Sequence, residues 1–465
     1  MISIPTWLFV LMAVLALVAL LDRVFMPSVR WFLRRRINAV IDQVNQRLDV
    51  RIRPFQLTRR RVLIQRLIYD PVVMEALEKE AVETQVPRDA LSQRVKRYAQ
   101  EIVPAFNAYL YYRFGYWLAK HVVQLMYRVS VRFRDQRELE SVDTNATIVF
   151  MMNHRSNMDY VLVSFLASQR TTLSYAVGEW ARVWPLQSLI KSMGAYFVRR
   201  NSGNPLYRRV LERYIAMATK EGVCQAAFPE GGLSKDGALK PAKLGLLDYM
   251  LRNFDHKSDR DVIFIPVGIN YDRTLEDRSL IRSLDPDQAP RSRWFAAKTT
   301  GQFLRRNLAL MIRSRWRNFG IAAVVFGRPI SAAAFAQKHN ILFSSMDRES
   351  RFEAIKLLAD EIMTSIATEV PVLPFSALCT ILLAEPNRTW SRLDLKTAAA
   401  DWLHARVSHG SVAMLDDADL EDGFDAALDM LLLRRFVHQT NHKILANEDE
   451  RDILAYYANS ISHLP

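Results

Sequence analysis

The sequence predicts an α/β protein: a central, largely parallel sheet flanked by helices, with helical units before and after it and one membrane anchor at the N-terminus. Three observations predict this. Short β-rich runs at residues 148–152, 196–198, 224–228, 262–267 and 321–326 alternate with helical stretches. On either side of that region the periodicity is helical. At the start of the chain, residues 2–21 contain no charge.

The elements follow in order. Residues 7–21 are an unbroken apolar run, and with their neighbours they are just long enough for one membrane-spanning helix of about 20 residues. The alternative is a helix lying in the interface, because Ser3, Pro5 and Thr6 shorten the span. Basic residues follow the apolar stretch rather than precede it, including Arg34-Arg35-Arg36 and Arg59-Arg60-Arg61. That order disfavours a cleaved signal peptide. The positive-inside rule then puts everything after Asp22 on the cytoplasmic side of an inner (plasma) membrane. Juxtamembrane arginine of this density suits anionic phospholipid.

Residues 22–128 form the expected helical N-terminal domain, with an amphipathic run at 87–103. Its last part carries Tyr111, Tyr112, Phe114, Tyr116 and Trp117, which suits either a membrane interface or an ordinary core helix. Residues 129–330 are the expected α/β domain. Within it, residues 291–317 make a basic amphipathic segment with Trp294, Phe295, Phe303 and Trp316. It fits a membrane surface, an acidic carrier protein or a plain solvated helix. Residues 331–465 are the expected helical C-terminal domain, where Asp416, Asp417, Asp419, Glu421 and Asp422 gather.

The totals bound the function. With 465 residues, 50% hydrophobic and 24% charged, the chain can bury a real core. Two cysteines, Cys224 and Cys379, build no disulfide framework and have no metal-ligand spacing. A net charge of +14 requires an anionic partner: nucleic acid, lipid headgroups or a phosphorylated substrate.

The sharpest chemical signal is Asn153-His154-Arg155-Ser156-Asn157-Met158-Asp159, directly after a strand-like run. A histidine with a carboxylate partner is the minimum kit for general-base activation of a hydroxyl. On a continuous helix five residues advance about 500°, leaving the two side chains roughly 140° apart. Contact therefore needs the helix to begin between them, and Ser156 or Asn157 suits its cap. His256 and Asp261 share the spacing but sit in a charged stretch without a preceding strand, which reads as a solvated loop.

The second signal is Phe228-Pro229-Glu230-Gly231-Gly232-Leu233-Ser234-Lys235, again closing a β-like run, with Lys240 and Lys243 close by. The glycines allow close backbone approach, and Glu230 and Ser234 offer hydrogen bonds to hydroxyls or phosphate. A third is Gly194-Ala195-Tyr196-Phe197-Val198-Arg199-Arg200, where paired arginines form either a phosphate clamp or surface salt bridges. No metal set and no cysteine nucleophile is evident.

These blocks, together with Ile265-Pro266-Val267-Gly268-Ile269-Asn270-Tyr271, occur in an order that resembles the glycerolipid acyltransferase superfamily. Arg155, Ser156, Met158, Asp159 and Tyr160 resemble its membrane-bound bacterial glycerol-3-phosphate acyltransferases in particular. The tail, with Pro371-Val372-Leu373 and Ala455-Tyr456-Tyr457-Ala458-Asn459, is similar to that family's C-terminal region. The resemblance implies transfer of an acyl group from acyl carrier protein or acyl-CoA to glycerol 3-phosphate, without a cofactor. It implies that His154 deprotonates the acceptor and that Asp159 orients it. It further implies that Arg199, Arg200, Glu230, Gly231, Gly232 and Ser234 bind glycerol phosphate and that Pro266 lines the acyl side. Leu233 stands where the family has arginine, so Lys235 or Lys243 is the expected substitute, and lysophosphatidate or dihydroxyacetone phosphate remains a rival acceptor. A basic membrane-peripheral protein without catalysis is the rival from another class. The ordered motifs argue against that reading and against nucleic acid as the partner.

Overall fold

The near-continuous apolar runs of the sequence become strands covered on both faces, as a parallel sheet requires. The computed structural model describes residues 53–107, 110–167, 173–178, 186–199, 202–285, 319–414 and 417–464. The expected anchor at 1–21 and the basic segment at 291–317 lie outside these residues. Among the described residues no helix is long and apolar enough to cross a membrane.

The sheet contains β1 (Arg128–Phe133), β2 (Thr147–Met152), β3 (Ser174–Val177), β4 (Tyr196–Phe197), β5 (Gln225–Ala227), β6 (Val262–Tyr271), β7 (Ile321–Phe326) and β8 (Ile330–Ser331). Its order is β1-β7-β6-β2-β5-β3-β4, with β8 beside β6. Strands β6, β2, β5, β3 and β4 pair in parallel, and β7 joins β6 antiparallel. Five loops therefore leave the sheet at one end. Alternate residues of a strand face opposite sides: Val149, Met151 and Phe264 enter one core, while Ile148, Met152 and Ile265 enter another.

The first core is covered by α1 (Arg60–Ile68), α2 (Pro71–Thr84) and α3 (Arg88–Ile102). Leu91, Val95, Ala99 and Ile102 make the buried stripe of α3. Asp70 caps α2 through Val72 N and Val73 N and is gripped by Arg213 at 2.9 Å. The second core is closed by α4 (Tyr116–Met126) against α5 (Met158–Ala167). Between β4 and β6 run α6 (Pro205–Lys220) and α7 (Gly245–Leu251), and after β8 come α8 (Ala332–Lys338) and the long α9 (Arg348–Glu369).

The C-terminal part contains α10 (Pro374–Ala384), α11 (Arg392–Ser408), α12 (Asp417–Leu433) and α13 (Arg451–Ala458). It also contains a three-stranded antiparallel sheet of β9 (Trp390–Ser391), β10 (Val437–Thr440) and β11 (Lys443–Ala446). The sequence reading expected helices alone. The hairpin turns on Asn441 and His442, both with positive φ, the tight-turn geometry that matches strand twist. Val437-His438-Gln439-Thr440 is too polar to announce a strand.

Candidate active site

The loop leaving β2 is pinned before it does anything else. Asn153 exchanges two hydrogen bonds with the backbone of Ile269 on β6, at 2.7 and 2.8 Å. Helix α5 begins only at Met158, whose N–H donates to Ser156 Oγ at 3.1 Å. The break thus falls between His154 and Asp159, as their contact requires. Nδ1 of His154 lies 2.9 Å from Asp159 Oδ2. That oxygen also accepts from Arg155 N and Ser156 N, and Oδ1 accepts from Tyr271 OH at 2.7 Å.

A carboxylate surrounded by donors acts as an acceptor, so the proton of the pair sits on His154 Nδ1 and the Nε2 lone pair is free. Nε2 is buried and, among the described residues, has no hydrogen-bond partner. The imidazole is 1% exposed, stacked on Phe228 at 3.9 Å and edge-on to Tyr160. By contrast, Asp261 spends its carboxylate on Ser331 Oγ and Ala333 N at the start of α8. The spacing shared with His256 is incidental.

The loop after β5 wraps the same histidine from the other side. Glu230 Oε1 accepts from His154 N at 2.9 Å, and Oε2 accepts from Lys240 N at 3.1 Å. Burial pushes this carboxyl up to about 7, although both N–H bonds and the Arg155 charge oppose the shift. Ser234 N donates to His154 O, while its hydroxyl donates to Ala238 O at 2.7 Å. Glu230 and Ser234, expected to bind a ligand, therefore hold loop to loop. Gly231 has φ +71°, and a Cβ there would lie 2.6 Å from Lys243 Cδ, so the lysine stem packs over this glycine. Gly232 is half-buried beside it. Leu233 packs into the C-terminal core.

Arg199 follows β4 at the same end of the sheet. It is three strand positions from the His154 loop, ~14 Å at the usual spacing of about 4.8 Å. Its guanidinium is held by Glu101 of α3 at 2.7 and 2.9 Å and stacks on Tyr98 and Tyr207. A protein carboxylate thus occupies the arginine that was expected to clamp phosphate. Arg200 lies outside the described residues. Pro266 sits in β6 opposite Met151, and its carbonyl accepts from Gly327 N.

Three partners have no role that the sequence assigns. Tyr271 closes the block that begins at Ile265 and holds Asp159. Glu276 accepts from Ser156 Oγ at 2.7 Å and Asn157 Nδ2 at 3.0 Å. Arg155, 2% exposed, donates to Gly237 O and lies 4.9 Å over the Tyr456 ring. Spacing offers no hint of any of these, because all depend on chain crossings far apart in sequence. A cavity of about 170 Å³ lined by Phe55, Phe106, Ser174, Tyr214 and Val223 lies where β3 and β5 begin. That is the opposite end of the sheet from His154.

Residues 131–270 match the family described as Acyltransferase, and residues 307–464 match the glycerol-3-phosphate acyltransferase C-terminal region. A glycerol-3-phosphate acyltransferase of Aeromonas hydrophila is 26% identical over 88% of this chain and 50% of its own length. One from Pseudomonas aeruginosa is 25% identical over 92% of this chain and 51% of its own. The chain spans about half the length of the curated relatives it matches. Among solved structures, the 1-acyl-sn-glycerophosphate acyltransferase of Thermotoga maritima aligns over 65% of this chain and 94% of its own, with 15% identity and a TM-score of 0.30. The Acyltransferase match is followed here by a match to the glycerol-3-phosphate acyltransferase C-terminal region, and over most of its length the chain is similar to proteins of that name.

Proposed function

We propose that this chain transfers a fatty acyl group from an acyl-carrier-protein or coenzyme A thioester to the sn-1 hydroxyl of glycerol 3-phosphate, giving lysophosphatidate. The observation that carries the reading is His154, tied through Nδ1 to Asp159 while Nε2 has no partner among the described residues. The acceptor hydroxyl gives its proton to Nε2 as its oxygen bonds to the thioester carbonyl carbon. The C–S bond then breaks, and the imidazolium returns the proton to the departing thiolate, so the products are an ester and a free thiol. Asp159 stabilises the imidazolium between the two steps. Because the ring is 1% exposed, substrates reach it when the side chains over it part.

Arg199, with Arg200 and Lys243, receives the acceptor phosphate, exchanging the Glu101 carboxylate for the ligand. Support comes from the shared sheet end and from the Arg199 side chain, which keeps 34% of its surface exposed. The chain works at an inner-membrane surface, anchored by residues 1–21 with its body on the cytoplasmic side. Leu110, Trp117 and Leu125, exposed at and beside α4, favour contact with lipid. Leu233, standing where the family has arginine, keeps lysophosphatidate or dihydroxyacetone phosphate open as the second acceptor.

The test supplies labelled glycerol 3-phosphate with a panel of acyl thioesters and separates the lipid products. Lysophosphatidate from the wild type and none from His154→Ala supports the proposal. Most activity surviving in that variant, or product from another acceptor alone, overturns it.

A further inference from the structure

The His154–Asp159 pair leaves one carboxylate oxygen unexplained. Oδ2 faces the imidazole and two backbone N–H groups, all from the same loop. Oδ1 points the other way, into the sheet, and there it meets the hydroxyl of Tyr271 at 2.7 Å. Tyr271 is the last residue of β6 and is fully buried. Its ring packs 5.2 Å from that of Tyr127, which spends its own hydroxyl on Arg273 O. Burial first, then the Asp159 charge, hold the Tyr271 hydroxyl well above its ordinary ionisation range, so it remains a donor at any working pH.

We propose, building on the acyl-transfer reading, that Tyr271 is a positioning residue whose hydroxyl sets how strongly Asp159 holds the His154 proton. A donor on Oδ1 draws charge from the carboxylate and weakens its pull on Nδ1–H. It also fixes the carboxylate plane, so that Oδ2 cannot turn from the ring. Without it the carboxylate is more basic, the imidazolium is over-stabilised, and the base returns its proton to the leaving thiolate less readily. The other groups around the pair leave this bond distinct. Glu230 accepts from His154 N, and Glu276 accepts from Ser156 Oγ and Asn157. Arg155 offers its backbone N–H to Oδ2, Tyr160 meets the imidazole edge-on, and Tyr127 lies behind Tyr271. Among the described residues Tyr271 is the side chain bonded to Oδ1.

The test compares Tyr271→Phe with Tyr127→Phe, an equally buried hydroxyl on the same aromatic pair that does not touch Asp159. Three readouts apply: the pH–rate profile, KM for the acceptor, and the downfield proton resonance of the His154 Nδ1–H, identified by its loss in His154→Ala. Tyr271→Phe is expected to lower kcat about tenfold with KM unchanged. The acid limb of its profile should move to higher pH by roughly half a unit or more, and the resonance should move further downfield. Tyr127→Phe should move neither limb nor resonance. An unmoved limb and resonance in Tyr271→Phe, or equal movement in both variants, overturns the proposal. The resonance is read without turnover. If the wild type acylates no acceptor, the acyl-transfer reading fails while this bond is still tested.

Discussion

Replacing Asp159 by Asn probes the site at its centre, and the structure sets both the direction and the size of the effect. An asparagine has one acceptor oxygen and one NH2 group. Placed with its oxygen at the Oδ2 position, it accepts from His154 Nδ1, Arg155 N and Ser156 N as the carboxylate does. Its NH2 then faces Tyr271 OH, which can turn to accept. The reverse placement sets the NH2 against two backbone donors, which costs about 1–3 kcal/mol for each unsatisfied buried group. The first placement wins, so the imidazole keeps its proton on Nδ1 and Nε2 stays a base. What is lost is the charge that stabilises the imidazolium. Unit charges about 4 Å apart at an effective dielectric near 20 interact by about 4 kcal/mol, part of which the amide dipole recovers. A fall of roughly a hundredfold to a thousandfold in kcat follows at 1.36 kcal/mol per tenfold. Steady-state kinetics on Asp159→Asn, beside His154→Ala, measure it. Activity within tenfold of wild type would show that the carboxylate charge is idle. Activity as low as that of His154→Ala would show that the amide had flipped, refuting the tautomer argument. Asp159→Asn combined with Tyr271→Phe should keep the first placement, since the two backbone donors that decide it are unchanged.

Other consequences are as direct. If acceptor phosphate displaces Glu101 from Arg199, Glu101→Gln should lower KM for glycerol 3-phosphate several-fold, since the guanidinium no longer has a competing charge; a raised KM would mean the pair only holds the strand end. Asp272 is buried and its carboxyl is pushed by burial from an ordinary 3.8 to about 7, against the pull of Ile321 N. A raised value in the folded state gives stability that is present at low pH and lost as pH rises through about 7. Asp272→Asn should therefore remove about 3 kcal/mol of the difference in denaturant-measured stability between pH 5 and pH 8; an unchanged difference contradicts it. Leu233→Arg should cost about 1–2 kcal/mol of stability from lost packing without improving acceptor KM, whereas Lys243→Ala should raise that KM. An arginine at 233 that sharpens acceptor binding would show that Lys243 does not stand in for it.

The parts of this architecture that were legible in the sequence are those set by local pattern. Residues 148–152 and 262–267 read as strands because every position is apolar, and they are strands buried on both faces. The His154 loop was legible because five-residue spacing and a helix are geometrically incompatible without a break, and Ser156 supplies one. Long-range crossings were not legible. Arg199 could not announce Glu101, which lies 98 residues earlier. Glu230 looked like a ligand because its two backbone partners, His154 N and Lys240 N, are invisible to side-chain chemistry. Strand β3 was missed because Ser174-Tyr175-Ala176-Val177 is four residues long and half small or polar.

The C-terminal region is best understood as the back wall of the His154 and Glu230 loops rather than as an appendage. Tyr456 OH donates to Arg155 O, its ring carries the Arg155 guanidinium, and its carbonyl packs so closely on Gly237 that a Cβ there would lie 1.9 Å away. Asn459 donates to Asp236 O at 2.9 Å, fixing the loop that carries Glu230 and Ser234. Asp277, beside the Glu276 that holds Ser156, is gripped by both Tyr457 OH and Arg434 at 2.6 Å. The bonds to Arg155 and Asp236 end within two residues of a group that touches His154 or Asp159, and those to Asp277 steady the neighbouring Glu276, which holds Ser156 and Asn157. Leu233 belongs to this wall: its side chain is buried partway into the C-terminal core, where a guanidinium could not be solvated without leaving. An apolar residue at that position follows from how tightly the two regions close. Lys243, exposed and with its stem over Gly231, is among the described residues a cation beside this loop that could turn toward a phosphate.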